Sequence, residues 1–300
     1  MFQRVYCKYL CMNLHDPQKL KGISEISDKF DVYFIDLWGV IHNGVQCYPE
    51  ALKVLEKLKE QNKKIVLISN APRPSPVVKA YLETIGLKSS CYDFLITSGD
   101  ITREYILLNS NKKKFYHLGP TKDIDLFEGL NITLARQDEC DEIICTGLLS
   151  NQEKLEDYET ILNYLLNKKI PLICANPDDV VIRGEKIEFC AGALANHFKK
   201  KGGVVRYFGK PYSEIYSFAL KKISNHSDFK DKKINILAIG DNIKTDIKGA
   251  NLFNLDSVLI LNGIYKDFFR NGIVNFDELR DSVNLKDTII NYFQEELAWH

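Results

Sequence analysis

Short apolar runs alternate with longer amphipathic segments along most of the chain. Val32–Ile35 is a run of β-branched and aromatic residues that stops at a loop, which predicts a buried strand. The segment that begins at Pro49 carries leucines every three residues over 52–58, the spacing of one helix face. Ile65–Ile68 is the next apolar run. Strand, helix and strand in this order predict a βαβ unit, and therefore a parallel pair of strands.

The same alternation continues through the rest of the sequence. It predicts strands over 94–97, 115–118, 142–145, 171–175, 204–208 and 234–239, and helices over 76–85, 155–167, 213–223 and from Asp246. Strands that alternate with helices are typical of α/β proteins. We therefore expect an α/β fold whose core is a Rossmann-like, doubly wound parallel sheet.

Composition excludes several kinds of partner. The 300 residues include 40 basic and 40 acidic side chains, so the formal net charge is zero. This balance gives no electrostatic reason to expect binding to nucleic acid or to an anionic membrane. No run approaches the ~18 apolar residues that a membrane helix needs, and residues 1–14 lack the apolar core of a signal peptide. We expect a cytoplasmic protein, with a homo-oligomer left open.

The eight cysteines are dispersed and form no C-x-x-C pair. Cys145 and Cys174 each end an apolar run, which favours buried, inert thiols over a metal site. This use of cysteine agrees with a reducing compartment.

Polar side chains follow several predicted strands at the point where each strand ends. The four segments are Asp36-Leu37-Trp38-Gly39, Ser69-Asn70, Gly209-Lys210-Pro211, and the stretch from Gly240-Asp241 to Asp246. Ligands of open parallel sheets bind at the carboxyl ends of the strands, so these segments can converge. Asp36 and Asp241 would offer the oxygen ligands that Mg²⁺ prefers. Ser69 and Lys210 would balance the charge of a bound phosphate.

The ordered set of four segments resembles the haloacid dehalogenase superfamily. Asp36 matches the nucleophile of its first motif, Ser69 the second motif, Lys210 the third, and Asp241 with Asp246 the acidic fourth. The stretch from Ser69 to Lys210 is far longer than a crossover needs, so it must contain an inserted domain. We expect a discontinuous core, 1–103 with 204–300, and a cap domain over 104–203. The position of the insert and Asn176-Pro177-Asp178 within it are similar to the class IIA branch of small-molecule phosphatases.

This resemblance implies a mechanism and a substrate class. Asp36 would attack phosphorus and become an aspartyl-phosphate, and Lys210 would keep its carboxylate ionised. Mg²⁺ would be held by Asp36, Asp241 and the backbone carbonyl of Trp38, with Asp246 supporting the metal shell. A small phosphorylated metabolite, such as a sugar phosphate, would be the substrate. The residues implied in binding it are Trp38, Gly39, Ser69, Asn70, Lys210, Asn176 and Asp178.

One position departs from the family pattern. Family phosphatases carry a second Asp two residues after the nucleophile, where it serves as general acid and base; here that residue is Trp38. An indole has only a donor N–H and cannot exchange a proton at neutral pH. His42 is a conceivable substitute, although a solvated loop histidine is the simpler interpretation. Two alternatives stay open: a phospho-ligand-binding or regulatory protein with little turnover, and a metal-independent dehalogenase, against which the acidic fourth motif argues.

Overall fold

The computed structural model of the chain describes residues 16–184, 186–224, 234–270 and 273–300. Residues 1–14, on which the expected lack of a signal peptide depends, lie outside these ranges. Within them the strands are β1 (Gln18–Lys19), β2 (Val32–Ile35), β3 (Lys64–Ser69), β4 (Phe94–Thr97), β5 (Phe115–Leu118), β6 (Glu142–Cys145), β7 (Leu172–Cys174), β8 (Val180–Arg183), β9 (Lys186–Phe189), β10 (Val205–Tyr207), β11 (Ile236–Gly240), β12 (Asp256–Ile260), β13 (Phe269–Arg270), β14 (Ile273–Val274) and β15 (Tyr292–Gln294). The α-helices are α1 (Pro49–Glu60), α2 (Ser75–Thr84), α3 (Ser98–Asn109), α4 (Glu159–Lys168), α5 (Ala191–Lys200), α6 (Ser213–Ser224), α7 (Lys248–Leu252) and α8 (Phe276–Ser282).

The larger sheet is parallel throughout and has the strand order β1-β15-β12-β11-β2-β3-β4. Successive side chains of β2 point to opposite faces of the sheet. Tyr33 and Ile35 pack with α1 and α2, whereas Val32 and Phe34 pack with α3 and α6. Helices therefore cover both faces, which explains why β2 is apolar at every position. The expected α/β fold with a doubly wound core is confirmed.

A second, smaller sheet has the order β10-β7-β6-β5 and is also parallel. All its strands fall between β4 and α6 in sequence, so this sheet belongs to an insertion. The predicted boundary at 203/204 would assign β10 to the core. The structure instead pairs Val205–Tyr207 with Leu172–Cys174, so the smaller sheet extends beyond that boundary. We call the part of the chain that carries this sheet the cap.

Two further details of the cap differ from the sequence prediction. The helix predicted over 155–167 begins only at Glu159, after a 3-10 turn at Leu155–Tyr158. The Tyr158 hydroxyl donates to Glu153 and accepts from the Leu149 amide, both at 2.6 Å, which ties the turn to the preceding loop. In addition, β8 and β9 form an antiparallel hairpin that the sequence pattern did not predict.

The strand order places the site. β11, β2 and β3 are adjacent, so their carboxyl ends meet at one edge of the sheet. Asp241 follows β11, Asp36 follows β2 and Ser69 ends β3. Among the helices in the described ranges, none has the length and apolar character needed to cross a membrane.

Candidate active site

A cavity of about 470 Å³ lies between the carboxyl ends of the two parallel sheets. This volume suits a small-molecule ligand. The cavity is lined by every residue that the sequence predicts for the site, namely Asp36, Trp38, Gly39, Ser69, Asn70, Asn176, Asp178, Lys210, Asp241 and Asp246. The structure thus brings together residues from four core segments and one cap segment.

Lys210 makes the central polar contacts of the site. Its Nζ contacts Asp36 Oδ1, lies 2.8 Å from Asp246 Oδ1, and donates to the Ile68 carbonyl at 2.9 Å. The side chain of Lys210 is only 5 % exposed. A buried ammonium must be paired, and here two carboxylates and a carbonyl satisfy it.

Burial and neighbouring charges shift the pKa values of this cluster in opposite directions. Burial raises the pKa of Asp36 to about 7, although the Lys210 charge beside it acts to lower it. Burial, together with the charge on Asp36, raises the pKa of Asp241 well above its usual range. Burial lowers the pKa of Lys210, but the surrounding carboxylates outweigh this effect, so its pKa is raised and it stays charged. The site therefore holds more acidic groups than Lys210 can neutralise.

Three carboxylates are arranged as a cation site would require. Oxygens of Asp36, Asp241 and Asp246 all lie within 4.8 Å of one another, and all three residues are buried. Gly39, with φ of +73°, and Gly263 make room for this group: a Cβ at either would come within 2.0 Å of Asp241 Oδ2. The excess negative charge and the hard oxygen donors fit Mg²⁺.

The segment Ile243–Ile247 is wound as one turn of π-helix, a rare form that is frequent at functional sites. It follows Asn242, whose side chain caps the turn through the Lys244 amide at 2.9 Å. Asp246 Oδ2 in turn accepts from the Asn242 amide at 3.2 Å. These contacts fix the Asp246 carboxylate beside Lys210.

Asn70 links the core to the cap. Its Oδ1 accepts from the Lys210 amide at 2.7 Å, and its Nδ2 donates to Asp178 Oδ1 at 3.0 Å. Burial raises the pKa of Asp178 to about 6, against the lowering effect of Lys210. Asn176 holds the same turn, because its Oδ1 accepts from the Asp178 amide at 3.1 Å. Ser69 Oγ accepts from the Ala71 amide at 3.2 Å and still has its hydroxyl proton to donate.

Trp38 occupies a tight niche. Its ring lies edge-on to His42, with 5.0 Å between ring centres, and a Cβ on Gly44 would come within 2.1 Å of the indole. His42 is 1 % exposed, so the expectation of a solvated loop histidine is wrong. Burial, followed by the charge of Arg183, lowers the pKa of His42 to about 4. Its Nδ1 accepts from the Gly44 amide at 2.9 Å, so the ring is neutral and is unsuited to supply a proton at neutral pH.

Sequence reasoning missed several cavity residues. Gly263 lies just after β12, a strand that the sequence pattern did not predict although residues 258–261 are an apolar run. Arg183 comes from the β8–β9 hairpin, and Asp123 and Thr146 follow cap strands. The strand-end signal that identified Asp36 was available for Thr146, which directly follows β6.

Comparison with known proteins agrees with this architecture. The sequence pattern of one family of haloacid dehalogenase-like hydrolases matches residues 33–133. The pattern of a second family, also described as haloacid dehalogenase-like hydrolases, matches residues 207–292. A haloacid dehalogenase-like hydrolase from Brucella suis is 32 % identical, with a TM-score of 0.80, over 94 % of this chain and 100 % of that one. A 4-nitrophenylphosphatase from Schizosaccharomyces pombe is 24 % identical over 86 % of this chain and 91 % of the relative. A dihydroxyacetone phosphatase from Corynebacterium glutamicum is 25 % identical over 78 % of this chain and 82 % of the relative.

Proposed function

This chain belongs to the haloacid dehalogenase-like hydrolase family, and on that premise we propose that it is a Mg²⁺-dependent phosphatase of small phosphate monoesters that works through an aspartyl-phosphate on Asp36. The observation that carries the proposal is the buried Asp36 carboxylate, held by Lys210 beside Asp241 and Asp246. The names of two relatives, a 4-nitrophenylphosphatase and a dihydroxyacetone phosphatase, support a small-molecule phosphatase.

Asp36 supplies the nucleophile. Its free oxygen attacks phosphorus, the bond between phosphorus and the ester oxygen breaks, and an acyl phosphate forms on the side chain. Water then attacks this phosphorus and the bond to Asp36 breaks, which releases phosphate and restores the carboxylate. Lys210 holds Asp36 in one orientation and favours its ionised form throughout.

The phosphate oxygens need donors around the reacting phosphorus. Lys210 and the Ser69 hydroxyl line this end of the cavity and can donate, and the backbone amides near Asn70 and Trp38 would join them. Asp36, Asp241 and Asp246 would hold Mg²⁺, with the Trp38 carbonyl as a further ligand. When bound, the ion supplies positive charge that offsets the repulsion between carboxylate and phosphate.

Proton transfer to the leaving oxygen is the unusual part of this site. Trp38 cannot donate it as an acid, and His42 is buried and neutral. Water in the cavity must therefore protonate the departing oxygen. We expect turnover to depend strongly on the leaving group, with aryl esters faster than alkyl esters.

The test is phosphate release from 4-nitrophenyl phosphate with and without Mg²⁺. We expect activity with Mg²⁺, its loss with a chelator, and its near-complete loss in Asp36→Asn. Asp241→Asn should raise the Mg²⁺ concentration needed for half-maximal rate, whereas Asp179→Asn, a half-buried carboxylate that does not line the cavity, should not. Equal turnover by the native chain and Asp36→Asn would refute the proposal.

A second candidate keeps the pocket but not the turnover, and Trp38 is the observation that favours it. Such a protein would bind a phosphometabolite tightly in the presence of Mg²⁺ without hydrolysing it. Tight calorimetric binding together with no phosphate release from a broad panel of esters would establish this second function.

The state of the cysteines is relevant to the compartment in which the protein works. The six described ones are free thiols, and five are buried: Cys47, Cys140, Cys145, Cys174 and Cys190. Burial raises the pKa of Cys145 to about 12 and that of Cys174 well above its usual range, so neither is reactive. Free thiols support the proposal of a reducing, cytoplasmic compartment.

A further inference from the structure

We infer that the cap carries a second binding subsite, centred on Asp123 and Thr146, that binds hydroxyl groups on the alcohol part of the substrate. The inference deepens the proposed function, since it concerns the part of the ester that leaves when phosphate is transferred. Both residues line the same cavity as Asp36.

The topology of the cap places this subsite. β5 and β6 are adjacent parallel strands, with Leu118 paired to Cys145 at their carboxyl ends. Thr146 follows β6 directly, and Asp123 lies in the turn that follows β5. Because this edge of the cap sheet faces the cavity, both side chains stand opposite the strand ends of the core.

A chain of hydrogen bonds orients the Asp123 carboxyl group. His117 Nε2 lies 2.9 Å from Thr146 Oγ1, and Thr146 is hydrogen-bonded in turn to Asp123. Burial lowers the pKa of His117, so its ring is neutral; with the proton on Nε2 it donates to Thr146, whose hydroxyl then donates to Asp123. Gly119 leaves room for this chain, since a Cβ there would come within 1.9 Å of Thr146 Oγ1.

This arrangement leaves Asp123 with acceptor capacity that the described protein groups do not use. The residue is 3 % exposed, and among the ion pairs of the described ranges none includes it. A carboxylate has about four acceptor positions, and Thr146 fills one of them. Buried polar atoms are normally satisfied, so a ligand donor in the cavity is the natural partner.

The surroundings favour a hydroxyl group over an ammonium group as that donor. The charges of Lys122 and Arg73 already act on Asp123 and lower its pKa, against the larger raising effect of burial. A cationic ligand would meet these two positive side chains. A neutral hydroxyl can donate to the carboxylate without that repulsion.

The subsite is separate from the phosphate end of the cavity. The charges of Lys210 and Asp246 act on the pKa of Asp36, Asp178 and Asp241, whereas the charges that act on Asp123 are those of Lys122, Arg73 and Asp125.

An ion pair ties the turn that carries Asp123 to the core. Arg73 of the core donates from Nε to Asp125 Oδ2 at 2.9 Å. Since Asp36 and Asp123 line one cavity, we expect one substrate to contact both.

The experiment compares two esters that share a carbon skeleton, glycerol 3-phosphate and n-propyl phosphate. For the native chain we expect kcat/KM to favour the hydroxylated ester. Asp123→Ala should reduce the ratio of the two kcat/KM values by about 10- to 100-fold, the loss expected for a hydrogen bond to a charged group. Thr146→Val, which keeps the side-chain shape, should reduce the ratio by a smaller factor. Glu128→Gln, an exposed charge change in the same part of the cap, serves as the control and should leave the ratio unchanged.

A ratio that does not change in Asp123→Ala, or equal losses with both esters, would overturn the inference in favour of a purely structural role. A native preference for 3-aminopropyl phosphate that Asp123→Ala abolishes would also overturn it, in favour of a cation subsite.

Calorimetric titration of the two esters into Asp36→Asn measures their affinity for the subsite independently of turnover. Weaker binding of glycerol 3-phosphate in the Asp36→Asn/Asp123→Ala chain would support the inference, and unchanged binding would overturn it. Absence of phosphate release from every ester by the native chain would instead overturn the proposed function, so the two failures are distinguishable.

Discussion

The guanidinium of Arg183, on the cap hairpin, lies over the indole of Trp38, on the loop that carries Asp36, with 5.1 Å between the Arg183 Cζ and the ring centre. A second contact runs beside it, where the Gly184 amide donates to the Asn43 carbonyl at 3.2 Å. The side chain at the unusual position 38 therefore holds the cap against the core. Trp38 makes this packing contact at the position where the family resemblance implies an acid.

Removal of this contact should weaken the attachment of the cap to the core. We expect Arg183→Ala to lower kcat/KM for a small phosphate ester by about 2- to 5-fold, because a partly exposed cation–π contact contributes ~0.5–1 kcal/mol. Steady-state kinetics with 4-nitrophenyl phosphate measures this loss. Arg206→Ala is the matched control, since Arg206 lies over Tyr105 at 5.2 Å in another part of the molecule. Similar losses in both variants would show that the contact has no special role at the cavity.

Restoring an acid at position 38 should speed the reaction of poor leaving groups. Trp38→Asp is expected to raise kcat for n-propyl phosphate by up to ~10²–10⁴-fold, the usual contribution of general acid catalysis, with a smaller gain for 4-nitrophenyl phosphate. Trp38→Asn has nearly the same shape without the titratable group and controls for the removal of the indole. Equal rates of Trp38→Asp and Trp38→Asn with n-propyl phosphate would contradict the role expected for the acid.

Lys210 should be indispensable for turnover. Lys210→Met removes the cation that pairs with Asp36 and Asp246, and we expect kcat/KM to fall by ~10²–10³-fold. The uncompensated carboxylates should also make Mg²⁺ raise the melting temperature more in this variant than in the native chain. Lys244→Met changes an exposed lysine near the cavity and should alter neither quantity. Turnover within 3-fold of the native rate would exclude the assigned role.

The buried His42 should make stability depend on pH. Its pKa is lowered to about 4 by burial, so below its ordinary pKa of about 6.5 the unfolded chain binds a proton that the folded chain does not. Stability contributed by His42 is therefore present above pH 6.5 and is lost as the pH falls toward 4, by about 2 kcal/mol at pH 5. Urea unfolding at pH 7.5 and pH 5 should show a smaller difference for His42→Asn than for the native chain. His300→Gln, an exposed histidine, is the control, and an equal pH effect in all three proteins would contradict the assignment.

The fold and the phosphate end of the site could be predicted because their signals are local. A strand that is buried on both faces, such as Val32–Ile35, is apolar at every position and can be identified without knowledge of its neighbours. Parallel topology then dictates that Asp36, Ser69 and Asp241 meet at one edge of the sheet.

The remaining features depend on contacts between distant segments. His42 lies in a loop, next to Asn43 and Gly44, and packing against Trp38 and Tyr81 helps to bury it. The contact between Arg183 and Trp38 joins cap and core, so no spacing within either segment predicts it. The surroundings of Asp123 include Thr146, which directly follows the neighbouring cap strand, and Arg73, which lies in the core. The burial of these side chains depends on how distant segments pack in the folded chain.

The insertion of the cap also sets an order of assembly. Asp36 and Lys210 are separated by 174 positions in sequence, and the cap sheet lies between them. During synthesis Asp36 emerges from the ribosome well before Lys210, and the cavity stays incomplete until the chain has passed through the cap and returned to the core. A nascent or truncated chain that stops within the cap would hold Asp36 without its counter-charge. The pairing of Asp36 with Lys210 therefore has to wait until the whole insertion has been made.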